Sequence, residues 1–296
     1  MSCSRLNANT VHSQNGLSSV TNSILLIKDI QISGLQNKSK NLSFSSSPRA
    51  KLVFSIDNIT TETKSQGTVW SEHLTFELSP PIKDNLHVKC YDMSKKGDDG
   101  LFGEAEIKLS SYKGQKEKVS TELFKHRGYV GKIYFYIYFL SGNPPKDADL
   151  NLHDESLLND KIRGVLLLKN ITCKGMSRKG YLEFSLNNRS KLHTTKDYWK
   201  MSSETCEYDV SFDLIKKEIR LCIQCRYGLL FTGFSKTKLE IKSTDTETWK
   251  TLIQTGTIKS GDLPFVENGF EDGYTSFIVS FHSLTTFEEI NKKCPQ

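Results

Sequence analysis

Apolar and polar residues alternate along most of this chain, in strand-length runs broken by turns about every ten residues. In GKIYFYIYFL, Ile133, Phe135, Ile137 and Phe139 fall on one face and Tyr134, Tyr136 and Tyr138 on the other. That parity predicts a strand with a core side and a semi-exposed tyrosine side. Upstream, the same pattern predicts strands in SILLIKDIQISGL, AKLVFSID, HLTFEL, NLHVKCYD, FGEAEIKLS and KVSTEL. Downstream, it predicts them in IRGVLLLKNITC, GYLEFSLNN, CEYDVSFDL, KEIRLCIQCR, FTGFSKTKLEIK, TWKTLIQTG and YTSFIVSFHS. A long first strand, a long variable loop, a turn and a hydrophobic closing strand recur in that order, a duplication of fold without identity.

Between the two halves lies SGNPPKDADLNLHDESLLND, with paired prolines, Asp and Asn, and no period. The expected organisation is a flexible leader (1–22), a first domain (23–141), an acidic linker (142–160), a second, divergent domain (161–283) and a C-terminal tail (284–296). The expected fold class is all-β, two antiparallel eight-stranded Greek-key β-sandwiches in tandem.

Composition narrows the class. With 36% hydrophobic and 25% charged residues among 296, and a mean hydropathy of −0.44, the chain reads as globular and not disordered. Its longest apolar runs are strand-length, too short to cross a bilayer as a helix. The leader lacks an apolar signal core, and the seven cysteines are odd in number and mostly in apolar strand contexts, which favours reduced thiols and a cytoplasmic setting. Of the net charge of +6, the first domain carries 17 Lys and Arg against 13 Asp and Glu, and the second 19 against 14. Two mildly basic blocks suit an anionic surface and are too weakly charged for a nucleic-acid binder.

The first half resembles a C2 domain. LLIKDIQISGL looks like its opening strand, AKLVFSI like the strand after the first top loop, and GTVWSEHLTFEL like the turn in which Trp70, Ser71 and Glu72 lead to Phe76. LHVKCYDMSKKGDDGLFGEAEIKL matches the strand, third loop and Phe-Gly-Glu strand. GYLEFSLNN, YDVSFDL, EIRLCIQCR and FTGFSKTKLEI carry a weaker likeness in the second half. The resemblance implies a calcium site of about five aspartates on two loops. Here the third loop offers Asp92, with Ser94 and Gly100 at the next two ligand positions and Asp98 and Asp99 out of step. Lys38, Lys40 and Arg49 stand where calcium-binding members place acids, and in the second half Cys225 takes the first acidic position. No metal site and no cofactor are therefore expected.

The candidate lipid-binding residues are Lys38, Lys40, Lys95 and Lys96 on the loop tips of the first domain. In the second domain they are Arg189, Lys191, Lys196 and Lys200, interleaved with Tyr198 and Trp199, and Arg226, Leu229, Leu230 and Phe231 of a short, largely apolar loop that also includes Tyr227. The chain has no nucleophile elbow and no phosphate-binding glycine loop, and its histidines are scattered singly. Cys222 and Cys225 fall on opposite strand faces by parity, which argues against zinc or redox work. The expectation is a non-catalytic, calcium-independent peripheral membrane adaptor for anionic phospholipids, cytoplasmic, in membrane traffic or signalling, with no nucleic-acid partner. The rival is a protein-interaction scaffold docking through the apolar tip of the second domain. A calcium sensor is the third reading.

Overall fold

The computed structural model describes residues 23–35, 49–63, 67–70, 73–93, 100–141, 163–177, 180–188, 190–193, 204–205, 210–216, 218–227 and 233–292, without the side chains of 190–193, 204–205 and 254. Two compact units account for them, one built from residues 23–140 and 284–292, the other from residues 141–283. Both are antiparallel β-sandwiches, and the fold is all-β.

In the first sandwich, β1 (Ser23–Ser33) lies between β9 (Gly128–Leu140) and an interrupted strand formed by β4 (Val69–Trp70) and β5 (Leu74–Leu78), while β8 (Lys116–Lys125) closes that sheet on β9. The facing sheet runs β3 (Ile59–Glu62), β2 (Ala50–Ile56), β6 (Asn85–Asp92), β7 (Leu101–Lys108). Alternation fills the space between them, with Leu25, Ile27, Phe54, Val88, Ile133, Phe135 and Ile137 all buried. Phe54 meets Phe135 edge-on at 5.5 Å between ring centroids.

The second sandwich repeats the plan. One sheet pairs β10 (Gly164–Lys174) with β19 (Phe270–Thr285) and with the interrupted strand β13 (Glu204–Thr205) and β14 (Val210–Leu214), and β17 (Thr257–Lys259) and β18 (Leu263–Glu267) close it on β19. The other runs β12 (Ser190–His193), β11 (Gly180–Leu186), β15 (Ile219–Tyr227), β16 (Gly233–Ile241). The likeness extends to irregularities. β1 breaks register at Asp29 (φ 53) and β10 at Asn170 (φ 51), and in both the core face switches parity, from Leu25 and Ile27 to Ile30 and Ile32, and from Leu166 and Leu168 to Ile171 and Cys173.

Two elements depart from the expected organisation. TWKTLIQTG belongs to a helix, α1 (Thr246–Thr255). Asp245 caps it by accepting from the Thr248 N–H, Gly256 ends it in the left-handed region (φ 72), and Trp249 and Leu252, three apart, are fully buried. Residues 284–296, expected as a tail, begin inside the first sandwich. Leu284 and Thr285 pair with β9, and α2 (Phe287–Lys292) sets Phe287 and Ile290 into that sandwich's core. Thr286 and Glu289 form a reciprocal cap at its start, each side chain accepting from the other's N–H at 3.2 and 2.9 Å. Asn291 then accepts from the Ile82 N–H at 2.9 Å.

Candidate lipid-binding surface

Each sandwich exposes the outer face of its β2-type or β11-type sheet, and the residues there follow from strand parity and register. In the second sandwich, cross-strand neighbours line up as Tyr181, Arg226 and Phe234; then Glu183, Gln224 and Lys236; then Lys191, Ser185, Cys222 and Lys238. Lys236 and Lys238 are exposed. The Arg226 guanidinium donates through Nε to Glu183 Oε2 at 2.6 Å and through Nη2 to Gln224 Oε1 at 3.1 Å, and lies 5.7 Å from the centre of the half-exposed Phe234 ring. With Glu183 only 6% exposed, that pair is held in a partly dry setting. Arg226 thus acts as an anchor for the sheet face, while Lys236 and Lys238 carry the outward charge.

The matching face of the first sandwich sets acids opposite most of its described basic side chains, with Lys108 exposed at the end of β7. Lys51 pairs with Glu62 at 2.6 Å, Lys89 with Glu104 at 4.0 Å, and His87 faces Glu106 at 3.8 Å. A cleft of about 360 Å³ opens on this side, where β7 and β8 share the single pairing Glu104 with Phe124. Its lining includes His87, Lys89, Glu104, Glu106 and Phe124, of mixed charge. On the opposite sheet, the tyrosine side of β9 carries lysines and is not semi-exposed throughout as parity predicted, since Tyr138 is fully buried; Lys28 and Lys116 lie 4.8 and 5.0 Å from the centre of its ring and Lys132 5.6 Å from that of Tyr134.

At the end of β6, Asp92 lies opposite Ala50 and is 8% exposed, and the next residue, Met93, donates its N–H to the Arg49 carbonyl at 2.9 Å. A calcium ion takes six to eight oxygens. The described residues supply one carboxylate here, and among them no group of three or more acids, histidines or cysteines has metal-holding geometry. Register also corrects the sequence alignment of the second sandwich. Cys225 lies opposite Leu182 inside the strand and matches buried Cys90, whereas Tyr227, opposite the first residue of β11, takes the place of Asp92. Burial raises the thiols of Cys90 and Cys225 to about 12, with a further push from Asp92 on Cys90 and from Cys173 and Asp272 on Cys225. Cys222 is half-exposed on the other face, as its parity predicts.

Of the candidate lipid-binding residues and loop aspartates named from sequence, Arg226 and Asp92 are placed with their side chains, and Lys191 is placed on β12 opposite Ser185. Lys38, Lys40, Lys95, Lys96, Asp98, Asp99, Arg189, Lys196, Lys200, Leu229, Leu230 and Phe231 lie outside the described residues. Lys236 and Lys238 escaped that reading. The alternation in GFSKTKLEI was the available signal, since it puts Phe234, Lys236, Lys238 and Glu240 on one face. Among the described residues, no helix is long and apolar enough to cross a membrane.

Residues 23–123 match the family model of the C2 domain. No curated protein matches the chain. Among solved structures, the two C2 domains, A and B, of extended synaptotagmin 2 in their calcium-bound form align over 90% of this chain and 98% of theirs, at 14% identity and a TM-score of 0.37. The first of the C2 domains of a plant extended synaptotagmin 1 aligns over 40% of this chain and 95% of its own, at 18% identity and a TM-score of 0.34. Human GIVD cytosolic phospholipase A2 aligns over 90% of this chain and 33% of its own, at 11% identity and a TM-score of 0.32.

Proposed function

We propose that this chain, whose residues 23–123 match the C2 domain model, is a non-catalytic, calcium-independent peripheral membrane adaptor that binds anionic phospholipid. The observation that carries the reading is the basic sheet face of the second sandwich, where Lys236 and Lys238 stand exposed beside the Arg226 and Phe234 pair. Phosphate headgroups need clustered cations that are not already neutralised, and among the described residues the matching face of the first sandwich pairs Lys51 and Lys89 with acids and carries Lys108 apart from them. Calcium independence rests on Asp92 as the one carboxylate that the described residues supply at the end of β6, and on Tyr227 in the corresponding place. The proposed setting is the cytoplasmic surface of a membrane, in traffic or signalling.

The test is co-sedimentation of the full chain with phosphatidylcholine vesicles, with and without phosphatidylserine, at low and moderate salt. Binding that needs phosphatidylserine and fades with salt is expected, and Lys236→Glu with Lys238→Glu weakens it by more than about tenfold, since each cation near an anionic leaflet contributes about 1 kcal/mol. Equal pelleting of the double variant removes the sheet face from the reading. A protein-interaction scaffold is the second reading, favoured by Phe270, 79% exposed on the second sandwich.

A further inference from the structure

We propose that the β8–β9 hairpin of the first sandwich is a membrane-contacting tip for anionic phospholipid, an inference that rests on the lipid-binding reading above. The chain reverses between Lys125 and Gly128 through His126 and Arg127, both left-handed at φ 49 and 66. Two-residue hairpin loops of this kind favour Asn-Gly, because a side chain at positive φ crowds its own backbone. The corresponding hairpin of the second sandwich, between β18 and β19, has that solution, Asn268 and Gly269 at φ 50 and 89. The first sandwich instead holds two strained residues and gains three consecutive basic side chains, Lys125, His126 and Arg127, at the turn.

Two aromatic residues flank them. Phe124 and Tyr129 are 41% and 45% exposed and meet edge-on, 6.4 Å between ring centroids. A free phosphate needs only the cations. Exposed rings directly beside cations match the boundary between headgroups and acyl chains, where amphipathic rings and basic groups both gain. The hairpin also stands at the right end of the sandwich. The Tyr129 hydroxyl packs against Gly34, where an added Cβ would lie 3.2 Å from it, and Lys125 Nζ donates to the Leu101 carbonyl at 2.6 Å. Gly34 follows the end of β1 and Leu101 opens β7, opposite Tyr91 near the end of β6. Exposed Arg49 and Met93, joined by their backbone hydrogen bond, belong to the same end. In the second sandwich the corresponding turn sets Phe270 between Glu267 and Glu271, a charge that an anionic leaflet repels, so the role belongs to one hairpin alone.

Two variants of the full chain test this with the same vesicles. His126→Asn with Arg127→Gly installs the favoured turn, so the thermal midpoint stays or rises, while affinity for phosphatidylserine vesicles falls about fivefold, the worth of one cation at such a surface. In Phe124→Trp, the emission gained over wild type shifts to the blue with phosphatidylserine vesicles and not with phosphatidylcholine alone. If wild type binds, but the turn variant binds as well and the added emission does not move, the hairpin has no such role and the broader lipid reading stands. If wild type binds no anionic vesicle, both fall.

Discussion

The two sandwiches share a scaffold and differ in what they mount on it. Their sheets have the same strand order, the same register break near the top of the first strand, and a positive-φ Asp or Asn at that break. Yet one sheet face pairs Lys51 and Lys89 with acids and leaves Lys108 outward, whereas its counterpart pairs Arg220 and Arg226 with acids and leaves Lys236 and Lys238 outward together on one strand. One end hairpin is basic and strained, and the other is acidic with a favoured turn. Backbone irregularities persist because register and core parity depend on them, while outward positions are free to diverge in charge.

The comparison can be broken first through the cores. Trp249→Ala removes a fully buried ring and its hydrogen bond to the Lys242 carbonyl, and is expected to cost roughly 3–5 kcal/mol. Phe287→Ala should cost about 3 kcal/mol, although residue 287 follows the whole second sandwich in sequence. Hydrogen exchange separates them: Trp249→Ala should expose β15 and β16, and Phe287→Ala should expose β1 and β9. Loss of protection in the second sandwich from Phe287→Ala would refute the assignment of α2 to the first.

A smaller effect sharpens the contrast between faces. Glu183→Gln leaves Arg226 without its carboxylate partner and should cost about 2 kcal/mol in urea unfolding, below the value for a fully buried pair because Arg226 is partly exposed. Lys89→Gln on the first sandwich, where the pair is 4.0 Å apart and half-exposed, should change stability by less than about 0.5 kcal/mol. Equal costs would mean that the two faces are not different in kind.

The smallest effect is one that both sandwiches share. Burial holds the Cys90 and Cys225 thiols at about 12, against 9 when unfolded. A raised pKa contributes stability that is complete below pH 9 and is lost as pH climbs toward 12. At pH 8 a thiol reagent should modify Cys222 in the folded chain and spare Cys90 and Cys225 until denaturant is added.

Strand parity made much of the fold legible. The core side of β9 was readable residue by residue, because period two has no competitor over so long a run. α1 was misread as a strand since its apolar spacing, Trp249, Leu252 and Ile253, is short and sits among true strands, although Asp245 and Gly256 were adequate helix signals. The placement of α2 depends on packing against residues about 200 positions away, which local pattern cannot show, even though its Thr-x-x-Glu cap could be read. Cys225 was matched to Asp92 by motif counting, and only pairing register put Tyr227 there. Arg226 was legible as a cation but not as the partner of Glu183, because that contact joins residues 43 positions apart.

The most direct test of the central claim is sedimentation of the wild-type chain with phosphatidylserine vesicles in calcium and in chelator. The account predicts equal binding in both, because the described residues supply a single carboxylate, Asp92, at this place in the first sandwich and Tyr227 at the corresponding place in the second. Binding that appears only with calcium would contradict it.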